Sequence, residues 1–479
     1  MNIKRREFLW LSGSALAVSS LPSFAAEGGA ARLTLGVLSD IHLEGRPGDD
    51  KWFLKALRHF AETGVDGVVI AGDIANYGRV TELRQCADAW NAVFPGDKGP
   101  DGRHVEKLFV YGNHECICDK KKYPDEPAWI CEGLAKFWRE CFGEEWAPVM
   151  VKEVKGYTFV LAHYPVGRKS AASMLAKVAP GLDRDKPFFF VQHEHPKDTC
   201  YGPWAWGHDN GATTKVLSAY PNAIALSGHS HYPLTDERGI WQDGFTSIGT
   251  STLHHIALDY SLIDNAYRGG NDFGYLGLES RTNLTPCVCG GKDGKQAMVL
   301  RVYDDHVRIE RRELAYDLPL GEDWVFPVAK GAAPVDRPYA FDRVRAKRVA
   351  PQFGEGAKVT VAQCRSKRKM EKPDGLRVTI PAARAVSGCR PWKYEVQVEL
   401  VEDDSEIVIA TRQVLSAHYY LPEEKDQTPS SVIFPLADFP PKAHVRFLVR
   451  PVECFGKKGA PIASDIVSVD ELAQAEPAK

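Results

Sequence analysis

Leu33-Thr34-Leu35-Gly36-Val37-Leu38-Ser39-Asp40-Ile41-His42 is a short apolar run that breaks into a carboxylate and an imidazole. The run reads as a buried strand, and the polar pair stands at its carboxyl end. The same figure recurs downstream. Val65 to Ala71 runs into Gly72-Asp73-Ile74-Ala75-Asn76, Lys107 to Tyr111 into Gly112-Asn113-His114-Glu115, and Ala223 to Ser227 into Gly228-His229-Ser230-His231. Tyr157 to Ala162 and Phe188 to Gln192 are further strand candidates, each followed by a histidine. Between the first two strands, Phe53, Leu57, Phe60 and Ala61 recur at helical spacing, and Gly64 is placed to end that helix. Strands alternating with helices from Leu33 to about Leu314 predict a layered α/β domain, in which ligands sit beyond the carboxyl ends of the strands.

Taken singly, each polar cluster has a plainer reading. An Asp-x-His serves as a turn, a Gly-Asp as a helix cap, a Gly-Asn as a hairpin signal. Together they bring carboxylate, amide and imidazole groups to one face of a sheet, a ligand set suited to Mn, Fe or Zn.

These four clusters, in this order and at these strand ends, resemble the calcineurin-like metallophosphoesterase superfamily, over about Leu33 to Leu314. The resemblance implies a four-layer α/β fold of two packed sheets flanked by helices. It also implies two divalent metal ions about 3.5 to 4 Å apart and a phosphoric ester as substrate. Carried over by motif, Asp40, His42 and His231 would hold the first metal, Asn113, His193 and His229 the second, and Asp73 would bridge them. Two cations sharing a water lower its pKa towards ~7, so that a metal-bridging hydroxide would attack phosphorus in line. His114 would then protonate the leaving alkoxide. For the histidine that ends a strand between the asparagine and Gly-His-x-His clusters, His163 and His193 compete. The family places one further strand before it, and counting Tyr157 to Ala162 as that strand favours His193. His195 then falls outside the ligand set. Purple acid phosphatases share these motifs but place a metal-binding tyrosine three residues after the bridging aspartate, where this chain has Asn76; Tyr77 comes one residue too late. Mn, Zn or ferrous iron is therefore expected rather than tyrosinate-bound ferric iron.

Several other residues stay open. Trp204, Trp206, His208 and the His254-His255 pair fit either a substrate pocket or ordinary core and surface positions, and Arg46, Arg79 and Arg168 are each candidates for a phosphate oxygen.

The chain before this domain reads as an address. Lys4-Arg5-Arg6-Glu7-Phe8-Leu9 resembles a twin-arginine motif, followed by an apolar stretch 13 residues long from Leu9 to Leu21 and small residues around Ala25 and Ala26. That stretch is short of the ~20 residues that cross a bilayer, so residues 1–26 are expected to be a cleaved signal, leaving no stable membrane span. A periplasmic or secreted location follows. Cleavage would take the net charge from -3 to about -5. No long block of either sign occurs, so no nucleic-acid partner is implied. The 11 cysteines include Cys116-Ile117-Cys118 and Cys287-Val288-Cys289, each with one intervening residue where zinc knuckles have at least two. Disulfides, among Cys116, Cys118, Cys131 and Cys141, or buried thiols are the expectation.

After the metallophosphoesterase-like domain (33–320), Pro327, Gly331, Pro334 and Pro338 mark a linker (321–342). Residues 343–470 then show strands without helices: Lys358 to Ala362, Leu376 to Ile380, Tyr394 to Val401, Ile407 to Leu415 and His444 to Val452. Their alternation predicts a small all-β sandwich, resembling fibronectin type III modules at its last strands. Thirteen of the 15 histidines precede it, which assigns the metal chemistry to the first domain. The function expected is hydrolysis of a small phosphomonoester or phosphodiester. The rival is a non-catalytic binding protein with a decayed first domain and a glycan- or protein-docking sandwich, against which the completeness of the ligand set argues.

Overall fold

A computed structural model describes residues 29–117, 124–125, 133–164, 167–202, 207–258, 287–288, 294–331, 334–364, 374–402, 405–417 and 419–470. The twin-arginine stretch, Cys118, Cys131, Cys289, Trp204, Trp206 and the Arg168 side chain lie outside them. Residues 31–479 form one compact unit.

Along the chain, β1 (Leu33–Leu38), α1 (Lys51–Thr63), β2 (Gly67–Ala71), α2 (Val80–Val93) and β3 (Glu106–Val110) come first. They are followed by α3 (Leu134–Phe142), β4 (Val149–Val154), β5 (Tyr157–Ala162), α4 (Gly167–Val178), β6 (Phe188–Gln192) and α5 (Ala212–Leu217). Then come β7 (Ala223–Ser227), β8 (Ile240–Gln242), β9 (Thr246–Gly249), and a short ribbon of β10 (Ala257–Leu258) and β11 (Cys287–Val288). The chain returns through β12 (Gln296–Val302), β13 (His306–Glu313), β14 (Leu318–Pro319) and β15 (Trp324–Pro327). Gly64 closes α1 in the left-handed conformation, its N–H bonding back to the Phe60 and Ala61 carbonyls.

One sheet has the order β14-β13-β12-β1-β2-β3, with β15 also on β13; the other runs β4-β5-β6-β7-β9-β8. β1, β2 and β3 are parallel, as are β5, β6, β7 and β9. These central strands are covered on both faces, which is why their sequences are unbroken apolar runs. Leu35, Val37, Val69 and Leu108 of the first sheet meet Phe159, Leu161, Phe189 and Ile224 of the second. The first sheet's other face, with Leu38, Val68, Ile70 and Phe109, packs on Phe53, Leu57, Trp90 and Trp138 of α1, α2 and α3. The second sheet's outer face, through Val160, Phe190 and Ala225, packs on Leu175 of α4 and Leu217 of α5. The layers are helix, sheet, sheet, helix. Gly36 lets α1 approach closely, since a Cβ there would overlap the Phe60 ring. Among the described residues no helix is long and apolar enough to cross a membrane.

Two register facts position the site. Leu38 lies beside Ile70 and Ile70 beside Phe109, so β1, β2 and β3 end level. Val191 lies beside Leu226, so β6 and β7 also end level.

The stretch expected as linker begins inside the first domain, because Trp324 to Pro327 pairs with Ile309 to His306. After α6 (Phe341–Lys347) the chain is all-β. β16 (Thr360–Cys364), β17 (Gly375–Ile380), β18 (Lys393–Glu402), β19 (Ser405–Leu415), β20 (Ser430–Pro435) and β21 (His444–Val452) are followed by the short β22 (Ile462–Ala463) and β23 (Val467–Ser468). β16-β17-β20 faces β19-β18-β21-β22, and Val378, Val432 and Phe434 meet Val396, Val445 and Phe447 between them. β20 has no counterpart in the expected strands. Its three apolar residues, Val432 to Phe434, sit between serines and Pro435, too short a run to show alternation.

Candidate metal centre

The loops leaving β1, β2 and β7 turn sharply enough to aim side chains across the strand ends. Asp40, His42, Asp73, His229 and His231 all have φ between 50° and 70°, a left-handed backbone that costs a non-glycine residue of order 1–3 kcal/mol. Such strain persists only where the surroundings over-determine it. The glycines of the motifs have a steric reason. A Cβ on Gly72 or Gly112 would overlap the His193 ring, and one on Gly228 would overlap Asp40 and Ser39. Each loop's backbone touches a candidate ligand carried by another.

Two groups of ligand atoms result, each within 4.8 Å of one another: Asp40, His42, Asp73 and His231, then Asp73, His193 and His229. Asp73 belongs to both. In the first, His231 Nε2 lies 3.1 Å from Asp40 Oδ1, and His42 Nε2 lies 3.7 Å from Asp73 Oδ2 and 3.1 Å from His231 Nε2. In the second, His193 Nε2 lies 3.1 Å from Asp73 Oδ2, 3.1 Å from His229 Nδ1 and 3.1 Å from Asn113 Oδ1. All seven residues read from the sequence as ligands are thus brought together.

The surrounding hydrogen bonds decide which atoms face inward. His193 Nδ1–H donates to Ala71 O (2.8 Å), His231 Nδ1–H to His255 O (2.8 Å) and His42 Nδ1–H to Asn76 Oδ1 (3.2 Å). Each ring therefore presents Nε2, and Asn76 is an orienting amide. The interior is lined by carboxylate oxygens and imidazole nitrogens. Asp40 and Asp73 are 0% and 1% exposed. Burial opposes their ionisation, yet the neighbouring histidines hold both carboxyls well below the usual range. Conversely, burial lowers His193, and the Asp73 carboxylate outweighs it, raising the imidazole to about 9. Buried acceptors that draw positive charge this strongly fit two divalent cations, and the mixture of imidazole, carboxylate and amide suits first-row metals or zinc.

His114 lies beside this centre and outside both groups. Its backbone N–H donates to Asp73 Oδ1 (2.9 Å), its Nδ1–H donates to Asn76 O (2.9 Å), and its ring meets His42 edge-on at 4.5 Å. His163 is elsewhere. It stacks on Tyr111 at 4.6 Å, with Trp138 and Trp146 around it, and Nδ1 accepts the Tyr111 N–H (3.1 Å). It follows β5, which pairs with β4 and β6; two strands, β4 and β5, lie along the chain between the asparagine cluster and β6, where strand counting expected one. His195 bonds Ser230 Oγ through Nε2 (2.8 Å), behind the His229-Ser230-His231 turn. Arg79 pairs with Glu82 and Glu44 O at the start of α2, and Arg46 with Glu44. Cys116 and Cys141 are free thiols.

Three supporting residues, Glu115, Ser39 and Thr252, escaped the sequence reading as individuals, and His254, left open there, is a fourth. Glu115 is fully buried, and its two oxygens accept the N–H groups of Ala75 (2.6 Å) and Gly112 (2.5 Å), tying the β2 and β3 loops together. Burial and the Asp73 charge push it up to about 8 against those two donors. Ser39 Oγ lies 2.5 Å from Asp40 Oδ2, and Thr252 Oγ1 donates to Asp40 O (2.9 Å). His254 has its ring 5.0 Å from that of His42, and its Nδ1 lies 2.7 Å from His255 Nδ1. Of the three that escaped, only Glu115, as the last letter of its cluster, carried a signal in the sequence.

Residues 33–233 match the sequence model of the calcineurin-like phosphoesterase family. No curated protein matches it. Among solved structures it is similar to a dimetal phosphatase from Danio rerio, at 12% identity over 63% of this chain and 100% of that one, with a TM-score of 0.37. It is also similar to the purple acid phosphatase PPD1 of yellow lupin, at 13% identity over 61% of this chain and 53% of that one (TM-score 0.38). A third is GAP50 of Plasmodium, an anchor in the inner membrane complex, at 11% identity over 63% and 90% (TM-score 0.36).

Proposed function

We propose that the protein is a dinuclear metal-dependent phosphoesterase that hydrolyses a small phosphomonoester or phosphodiester outside the cytoplasm. One observation carries the reading: the two ligand groups share Asp73, the arrangement a bridging carboxylate requires. Asp40, His42 and His231 would hold one ion, Asn113, His193 and His229 the other, with Mn, Zn or ferrous iron as the metals. When bound, the cations supply an acidified water and neutralise charge growing on the phosphoryl oxygens. The chain's own residues do the rest. Asp73 fixes the His114 backbone beside the site, and Asn76 O holds His114 Nδ1–H, leaving Nε2 as the nitrogen that protonates the departing alkoxide. The export stretch Lys4 to Ala26 supports the location.

The test is to measure metal content and to assay the protein, with Mn, Zn and Fe each supplied, on aryl phosphomonoesters, aryl phosphodiesters, nucleotides and phospholipids. Two metals per chain and a turnover abolished by a chelator and by Asp73→Ala are expected. No hydrolysis of either ester class with any metal would end the reading.

A further inference from the structure

The sandwich reads in the sequence as a module hung after a linker. Its packing is different. Ile256, fully buried, is the one residue of the first domain within the sandwich core among the described residues. Gly294 lies between it and the sandwich: a Cβ there would come within 2.7 Å of Ile256 and 3.0 Å of Tyr420. Beside them Gln296, also fully buried, donates from Nε2 to Tyr420 O (2.6 Å) and accepts at Oε1 from Leu234 N (2.7 Å) and Ser251 Oγ (3.1 Å). Arg238, held by Asp236, stacks on Trp392 of the sandwich at 4.5 Å.

Ile256 and Ser251 belong to one segment, residues 251–257, which touches the site. Ser39 Oγ bridges Ser251 O (2.7 Å) and Asp40 Oδ2 (2.5 Å), and Thr252 Oγ1 donates to Asp40 O. His255 O accepts His231 Nδ1–H, and Ala257 N–H donates to His231 O (2.9 Å). Every one of these contacts falls on Asp40 or His231. None falls on the side chains of Asn113, His193 or His229, which are oriented by Ala71 and by one another; the one link is the His229 backbone N–H, which donates to Asp40 Oδ2 (3.0 Å).

We propose that the C-terminal sandwich is a structural part of the first metal position, gripping residues 251–257 through Ile256 and Gln296 and thereby fixing Asp40 and His231. Ile256 and Gln296 are positioning residues for one metal and not for the other. The inference rests on the two-metal reading above.

The experiment is a zinc titration of the full chain by native mass spectrometry, which counts bound ions. It is run on the intact site, on a His193→Ala background that keeps the first position, and on a His231→Ala background that keeps the second. Ile256→Ala and Gln296→Ala are expected to weaken zinc about 10–100-fold on the His193→Ala background, as loss of an orienting contact does, and by less than about threefold on the His231→Ala background. Ile256→Val, one methyl smaller, should give a smaller loss on the first background alone, and serves if the alanine variants do not fold. Val432→Ala, a truncation inside the sandwich core away from the junction, should leave both affinities unchanged. Equal weakening on both backgrounds, no weakening on either, or a Val432→Ala effect matching Ile256→Ala would overturn the inference. A parent chain that takes up no zinc would remove the two-metal reading and this one with it, whereas a parent with two ions and indifferent variants would remove this one alone.

Discussion

Replacing His163 by Phe should produce a stability loss that depends on pH in a direction fixed by its environment. The imidazole is enclosed by Tyr111, Trp138 and Trp146, and burial, with a smaller contribution from the Lys152 charge, pulls it down to about 3 from its ordinary 6.5. A histidine held neutral in the fold charges more readily once unfolded. Its contribution is therefore fully present above pH 6.5 and is lost as pH falls towards 3. The whole gap corresponds to about 5 kcal/mol at ~1.36 kcal/mol per pH unit, of which about 2 kcal/mol falls between pH 6.5 and pH 5. In His163→Phe the ring still fills the box, but the Tyr111 N–H loses its acceptor, a cost of about 1–3 kcal/mol at pH 7.5. Since Phe does not titrate, the deficit of the variant should shrink by about 2 kcal/mol on going to pH 5, with the two stabilities converging or crossing. Urea unfolding of both proteins at pH 7.5, 6 and 5 measures this, and every other titrating group cancels in the difference. A deficit that stays constant across that range would refute the reasoning, as would a variant that has lost a metal.

His114→Ala should retain both metals while slowing alkyl esters about 10²–10⁴-fold, with a much smaller effect on aryl esters whose leaving group needs no proton. Loss of metal on elemental analysis, or equal slowing of both esters, would remove its role as acid. Gly112→Ala drives a Cβ into Asp73 Oδ1 and the His193 ring, so thermal melts should show a destabilisation of about 1–3 kcal/mol together with reduced metal content. A variant with wild-type melting and two metals would mean the β3 loop has slack that the packing denies.

The parts of this molecule legible in its sequence are those whose physics is local. A central strand covered on both faces must be apolar throughout, so β1, β2, β6 and β7 announce themselves, and the residues that leave their ends are the candidate ligands. His163 and His193 show where local pattern stops. Both end apolar runs of similar length, and periodicity cannot separate them. What separates them is sheet order: β5 lies next to the outer strand β4, where its end enters the aromatic box under α3, whereas β6 adjoins β7 and delivers His193 beside His229. Gln296 lies further beyond reach. A glutamine at the start of a strand reads as a surface residue, and only its partners, at Leu234, Ser251 and Tyr420, reveal a buried hub. The same distance hides the sandwich's connection to the site. The prolines from Pro327 onward mark a break in chain pattern, and a break in pattern says nothing about contact: β15 pairs back onto β13, and Ile256 packs within the sandwich core. A linker in sequence thus joins two bodies that share a core residue. The consequence is chemical as well as structural, because the shared residue lies one position from the carbonyl that orients His231.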